Sequence, residues 1–208
     1  RVNLGMALLQ QRRPREALPL LESAARQDPR SADLAVNLGT AYRALGEDLR
    51  AEAAFRRALE LDPRSARAWN NLGSIDLQRG KPEAAAANLA RAVEIDPRMA
   101  IFRINLADAF NAASRWSEAA EQFREAHRID PDLPESHRGL GEVALERGDL
   151  ETAEREFRLA AGAREPSARA ANFLGYILSL KGRFVEAAGQ YEKAIAIDSF
   201  DPPRTLAY

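Results

Sequence analysis

Few side chains in this sequence are of the types that carry covalent or metal chemistry. The two histidines, His127 and His137, stand ten residues apart with Glu125 and Glu135 close by, a set from which a metal site or a general base can be built. No third ligand follows at zinc-site spacing, and His127 falls near the end of a helical stretch, where the helix dipole favours a partly charged ring. Both are read as structural. Cysteine is absent, and neither a glycine-rich phosphate loop nor a serine-nucleophile motif occurs. The expectation is a chain with no catalytic residues, no metal and no cofactor, and hence not an enzyme. The most regular polar feature is a column of amides, Asn3, Asn37, Asn71 and Asn105, recurring every 34 residues. An amide offers a donor pair and an acceptor, the complement of a peptide group, so such a column can hold an extended main chain with little regard to its side chains. The same amides can instead serve the neighbouring helix, and the sequence leaves both readings open.

The elements that position these asparagines follow from a second pattern on the same interval. Leu4-Gly5, Leu38-Gly39, Leu72-Gly73, Leu106-Ala107, Leu140-Gly141 and Leu174-Gly175 are spaced by 34 residues, the mark of a repeat array. Twelve residues after each glycine slot stands an alanine, from Ala17 and Ala51 through to Ala187; a large residue (Leu21, Phe55, Leu89, Phe123, Phe157, Tyr191) follows four further on, and another alanine three beyond that. Those spacings share one face of a helix, the second of each repeat. The Leu-Gly pair belongs to the first helix, where a missing side chain lets two axes approach. Gly46, Gly80, Gly148 and Gly182 mark the turn between them, Pro14 and Pro82 open second helices, and Asp28-Pro29, Asp62-Pro63, Asp96-Pro97 and Asp130-Pro131 end them. Ser31, Ser65 and Ser167 read as N-caps, each stabilising by roughly 1 kcal/mol relative to alanine.

Composition excludes several roles. The net charge is −1, with 30 basic and 31 acidic residues spread along the chain, unlike the basic face that nucleic acid requires. The longest apolar run, 173–180, is far too short for a membrane span. Lysine occurs only at Lys81, Lys181 and Lys193 among many arginines, which fits a bacterial source. The compartment is not readable, with cytoplasmic favoured over periplasmic. The chain begins inside a first helix, as if cut from a longer one.

Trp69, Leu72, Gly73, Ala85, Leu89, Ala92 and Pro97, and likewise Leu38, Gly39, Tyr42, Ala51, Phe55, Ala58 and Pro63, resemble the tetratricopeptide repeat pattern. The resemblance spans the chain, with repeats at 1–31, 32–65, 66–99, 100–133, 134–167 and 168–201, and 202–208 either a tail or the start of a seventh. It implies an all-α, right-handed superhelix of six helix-turn-helix repeats, like bacterial arrays of this family. Departures stand at Asp76 and Ala144 in place of large aromatics, Ala107 in place of glycine, Pro166 one residue late and Ser199 in place of the last proline.

The family resemblance further implies that first helices line a concave surface that binds protein. At the asparagine column the chain resembles the array of O-linked N-acetylglucosamine transferase, which implies a main-chain grip by Asn3, Asn37, Asn71 and Asn105. Arg67, Asn70, Ile101, Ile104, Asp108, Arg138, Glu142 and Asn172 fill other inward slots and are expected to contact the ligand, most of them setting selectivity, with Ile101 and Ile104 forming an apolar subsite. The column breaks at Gly139 and Phe173, where the groove is expected to end. The carboxylate clamp of co-chaperone arrays is not expected, since its slots hold Val36 and Thr40, Asn70 and Ser74, or Ile104 and Asp108. The reading is a protein-interaction scaffold for a peptide or protein segment. Two alternatives are a docking arm of a larger enzyme such as a glycosyltransferase, and a scaffold that self-associates through uncapped ends.

Overall fold

A computed structural model describes residues 2–164 and 166–200. All regular elements among them are helices: α1 (Val2–Gln10), α2 (Pro14–Gln27), α3 (Ala32–Ala44), α4 (Asp48–Leu61), α5 (Ala66–Gln78), α6 (Pro82–Ile95), α7 (Ala100–Ala112), α8 (Trp116–Ile129), α9 (Pro134–Glu146), α10 (Leu150–Gly162), α11 (Ala168–Leu180) and α12 (Phe184–Phe200). The chain forms two compact units, Arg1–Pro97 with α1–α6 and Arg98–Tyr208 with α7–α12. Each odd-numbered helix pairs with the next, so the all-α class and six helix-turn-helix repeats of the sequence reading are present. The tail at 202–208 lies outside the described residues.

The alanine–large–alanine face of the second helices α2, α4, α6, α8 and α10 is the core. Ala51, Phe55 and Ala58 are fully buried, as are their counterparts on α6, α8 and α10. The large residue presses on the glycine of the same hairpin: a Cβ added to Gly39 would lie 2.5 Å from Phe55 Cε1, and one on Gly73 2.5 Å from Leu89 Cγ. No side chain fits there without moving a buried neighbour.

The turns show why one slot recurs. Gly46, Gly80, Gly148 and Gly182 all have φ between +69° and +76°, and the two repeats without glycine there place Arg12 and Ser114 in the same region, each at φ 58°. Holding an L-residue in that region costs about 1 kcal/mol or more. The aspartates ahead of the prolines do more than mark the stop. Asp28, Asp62 and Asp130 each accept a hydrogen bond from the amide two residues on, at 3.3, 2.9 and 3.2 Å, closing an Asx turn around the proline. With Ser199 in the proline position, α12 runs on for 17 residues. Ser31 and Ser167 cap α3 and α11 by accepting from Leu34 N and Ala170 N, but Ser65 makes no such bond, and Asp149 caps α10 unread in the sequence. On α12 Ala194 is buried and Ile195 is 65% exposed.

Glu154 on α10 ties three cations together, at 2.7 Å from Arg158, 2.6 Å from Lys181 and 2.8 Å from Arg183. The hydrogen bond from Lys181, then that from Arg158, hold its carboxyl down at about 2. A depressed carboxylate stabilises the fold above its unfolded pKa, and that stability drains away as pH falls toward the folded value. Screening of the half-exposed cations leaves about 1–2 kcal/mol. Glu154→Gln is therefore expected to lower the urea midpoint near neutral pH, with the gap to the parent closing as pH falls below about 4.

Candidate functional site

In the first unit the asparagine column lies on α1, α3 and α5. Asn3 is exposed. Asn37 is only 5% exposed, and its Oδ1 accepts from Arg67 Nη2 at 3.0 Å. Asn71 Oδ1 accepts from Arg43 Nη1 at 2.9 Å, and its Nδ2 donates to the Arg67 carbonyl at 2.8 Å. Two members of the column thus bond within the protein, one to the next first helix and one to the previous. Arg43 went unread in the sequence. Burial pulls its pKa down against the opposing pull of Asp48, and Asn71 supplies an oxygen to its guanidinium. A signal for it existed: the column holds Leu9, Leu77, Asn111, Leu145 and Ser179 elsewhere, so Arg43 is its one charged member. Arg67 is exposed and Asn70 half-buried beside them.

In the second unit Asp108 on α7, Arg138 and Glu142 on α9 and Arg169 on α11 converge. Arg138 Nη1 donates to Glu142 Oε1 at 2.7 Å and Nη2 to Asp108 Oδ1 at 3.3 Å, while Arg169 Nε lies 3.0 Å from Glu142 Oε1. The Arg138 and Glu142 side chains are only 11% and 10% exposed. Burial works against the charge of Arg138, but attraction from Asp108 and Glu142 outweighs it and its pKa is raised. Asp108 is held above the usual carboxylate range, chiefly by burial, with Arg138 opposing. Three expected selectivity residues are brought together here, and any ligand meeting them must compete with their bonds to one another.

Two expectations for this unit need correction. Ile104 is 2% exposed and packs with Ala100, Ala107, Phe123 and Val143, so it belongs to the core and cannot contact a ligand. Ile101, 43% exposed, is left alone, and the apolar subsite read from the pair is not formed. The break in the asparagine column also has a packing cause. A Cβ on Gly139 would lie 2.1 Å from Phe123 Cζ. Ala107 already fills the glycine slot of the Phe123 repeat, and the ring lies against Gly139 of the next. Phe173 stacks on Phe157, ring centroids 5.1 Å apart at 13°. At the first break the slot's space is taken by a ring of the preceding second helix, and at the second the slot's own Phe173 ring packs on one. Asn105 is half-buried and Asn172 exposed.

The family model described as tetratricopeptide repeat matches residues 2–66, 49–97, 72–134 and 138–202. The chain belongs to the tetratricopeptide-repeat family. No curated protein matches it in sequence. Among solved structures, this tetratricopeptide array is similar to MamA (41-end) from Desulfovibrio magneticus RS-1, at 26% identity over 75% of this chain and 88% of that one, with a TM-score of 0.65. It is similar to pilF of Pseudomonas aeruginosa at 22% identity over 100% and 92%, TM-score 0.76. The thermophilic tetratricopeptide protein TTC0263 of Thermus thermophilus aligns at 24% identity over 85% and 94%, TM-score 0.70.

The histidines of the tetratricopeptide array lie side by side, ring centroids 4.6 Å apart at 56°, and His137 Nδ1 is 2.8 Å from Glu156 Oε2. Among the described residues no group of three His, Cys, Asp or Glu is arranged to hold a metal ion.

Proposed function

We propose that this tetratricopeptide array is a non-catalytic protein-interaction scaffold that holds an extended segment of a partner protein against the faces of its first helices. One observation supports it above others: the first-helix slots differ from repeat to repeat and are mostly polar, while the second helices repeat one apolar face. Exposed Asn3 and Arg67 in the first unit, and Ile101 and Asn172 in the second, offer direct contacts, with Asn37 and Asn71 as a polar floor in the first unit and Asn105 in the second. A near-neutral chain of mixed charge favours protein over nucleic acid. No described helix is long and apolar enough to cross a membrane.

Alanine at Asn71 is a poor probe, because it strips a half-buried guanidinium of its acceptor and costs about 1–3 kcal/mol in stability. Ile101 and Asn172 are better, being exposed on first helices of one unit. The tightest peptide selected from a displayed library is expected to bind an Ile101→Asp, Asn172→Ala double variant about tenfold more weakly, with an unchanged melting temperature. Methylating the main-chain nitrogens of that peptide is expected to weaken it further. Equal affinity for parent and double variant would sink the reading.

A further inference from the structure

The slot four residues before each left-handed turn residue holds Leu8, Tyr42, Asp76, Phe110, Ala144 and Leu178 in successive repeats. In the second repeat Tyr42 is nearly buried; its hydroxyl donates to Glu22 Oε1 at 3.1 Å and accepts from Arg50 Nη2 at 2.8 Å. In the third repeat Asp76 stands in the same place without the ring. An open cavity of about 450 Å³ results, lying among α4, α5 and α6. Leu59, Trp69, Leu72 and Ile75 give it apolar walls, and Asp76 and Asn88 a polar edge.

The charges around it are unevenly matched. Glu52 is held by Arg56 and Arg79, each at 2.6 Å, and Glu60 by Arg57 at 2.9 Å. Asp76 makes no ion pair among the described residues; its Oδ2 accepts from Asn88 Nδ2 at 2.7 Å. Arg56 lines the cavity and Arg79 acts on Asp76 from a distance, but both are bonded to Glu52, so a guanidinium brought from outside would be the one in direct contact with the Asp76 carboxylate. Trp69 is fixed by its Nε1–H, which donates to the Pro63 carbonyl at 3.0 Å, so its ring forms a set wall.

We propose that this cavity is a socket for an arginine side chain presented by a partner protein. The guanidinium pairs with Asp76, the methylene stem lies along half-buried Leu59, and the indole of Trp69 receives the cation's planar face. Arginine fits better than lysine because its flat fork both stacks and pairs. It fits better than tyrosine because a phenol fills the space but leaves Asp76 charged and unpaired. At about 100° per residue, Trp69, Leu72 and Asp76 fall on the side of α5 opposite Arg67, Asn70 and Asn71. The socket is therefore separate from the first-helix surface proposed above, and either can fail alone.

The test follows the indole N–H resonance of Trp69 during titration with the blocked tripeptide acetyl-Gly-Arg-Gly-amide. A saturable shift is expected at Trp69, with Trp116 unmoved. The citrulline tripeptide, alike in shape but uncharged, is expected to bind about tenfold more weakly, and Asp76→Asn to lose a similar factor for the arginine peptide. Asp76→Tyr refills the cavity and is expected to abolish the shift. No shift with the arginine peptide, equal affinity for the citrulline peptide, or a stronger response to acetyl-Gly-Tyr-Gly-amide would each overturn the proposal. The citrulline comparison uses the unaltered protein, so it decides even if a variant unfolds.

Discussion

Replacing Arg138 by methionine is expected to destabilise the protein by about 3–5 kcal/mol, since it leaves two acidic groups in a partly dry site without their shared cation. Arg138 is the centre of the second unit's cluster, bonded to both Glu142 and Asp108. Arg169 remains beside Glu142 but is half exposed and does not replace the bond to Asp108. The pH dependence gives the cause away. With the cation gone, burial lifts the folded-state pKa of Asp108 further above its unfolded value, so the folded state binds more protons and the variant gains stability as pH falls. Denaturation at neutral and mildly acidic pH should show the gap to the parent narrowing in acid. Adding Asp108→Asn and Glu142→Gln to the methionine variant should recover much of the loss, because neutral amides leave no unpaired charge. A loss below about 1 kcal/mol would show that the cluster is wet and its pairs screened.

Gly139→Asn, the substitution that would continue the asparagine column, is expected to cost about 3 kcal/mol through overpacking. The added Cβ meets a Phe123 ring that is fully buried and has no free space to enter. Phe123 takes this position where Ala107 replaces the glycine of its own hairpin. Ala107→Gly should therefore give the ring room and soften the penalty at position 139. A double-mutant cycle on thermal stability measures this coupling, expected at about 1 kcal/mol or more. Strict additivity would mean that the two sites are independent.

The repeat architecture was legible because Leu-Gly, the alanine–large–alanine face and Asp-Pro each answer a local demand: a close approach, an apolar stripe and a stop. The site was legible only in part. Asp108, Arg138 and Glu142 were placed on first helices by counting, and they do meet. What counting could not supply was depth. Ile104 occupies an inward slot but sinks into the core around Phe123, while its neighbour three residues earlier stays at the surface. Nor could a one-repeat reading see that Gly139 answers Ala107 through the ring of Phe123, since that requires knowing which way a side chain leans between repeats. Asp76 showed in the sequence as a missing aromatic, yet whether the space closes or stays open depends on three helices at once.

The turn slots held by Arg12 and Ser114 bear on the order in which the array assembles. They stand in the leading hairpin of each compact unit, and in both units the two hairpins that follow turn on glycine. Closing a leading hairpin forces an L-residue into a left-handed conformation; closing either of the others does not. In a quasi-one-dimensional array, where structure can start at any repeat and spread to its neighbours, nucleation is then expected to favour the glycine hairpins over the leading ones.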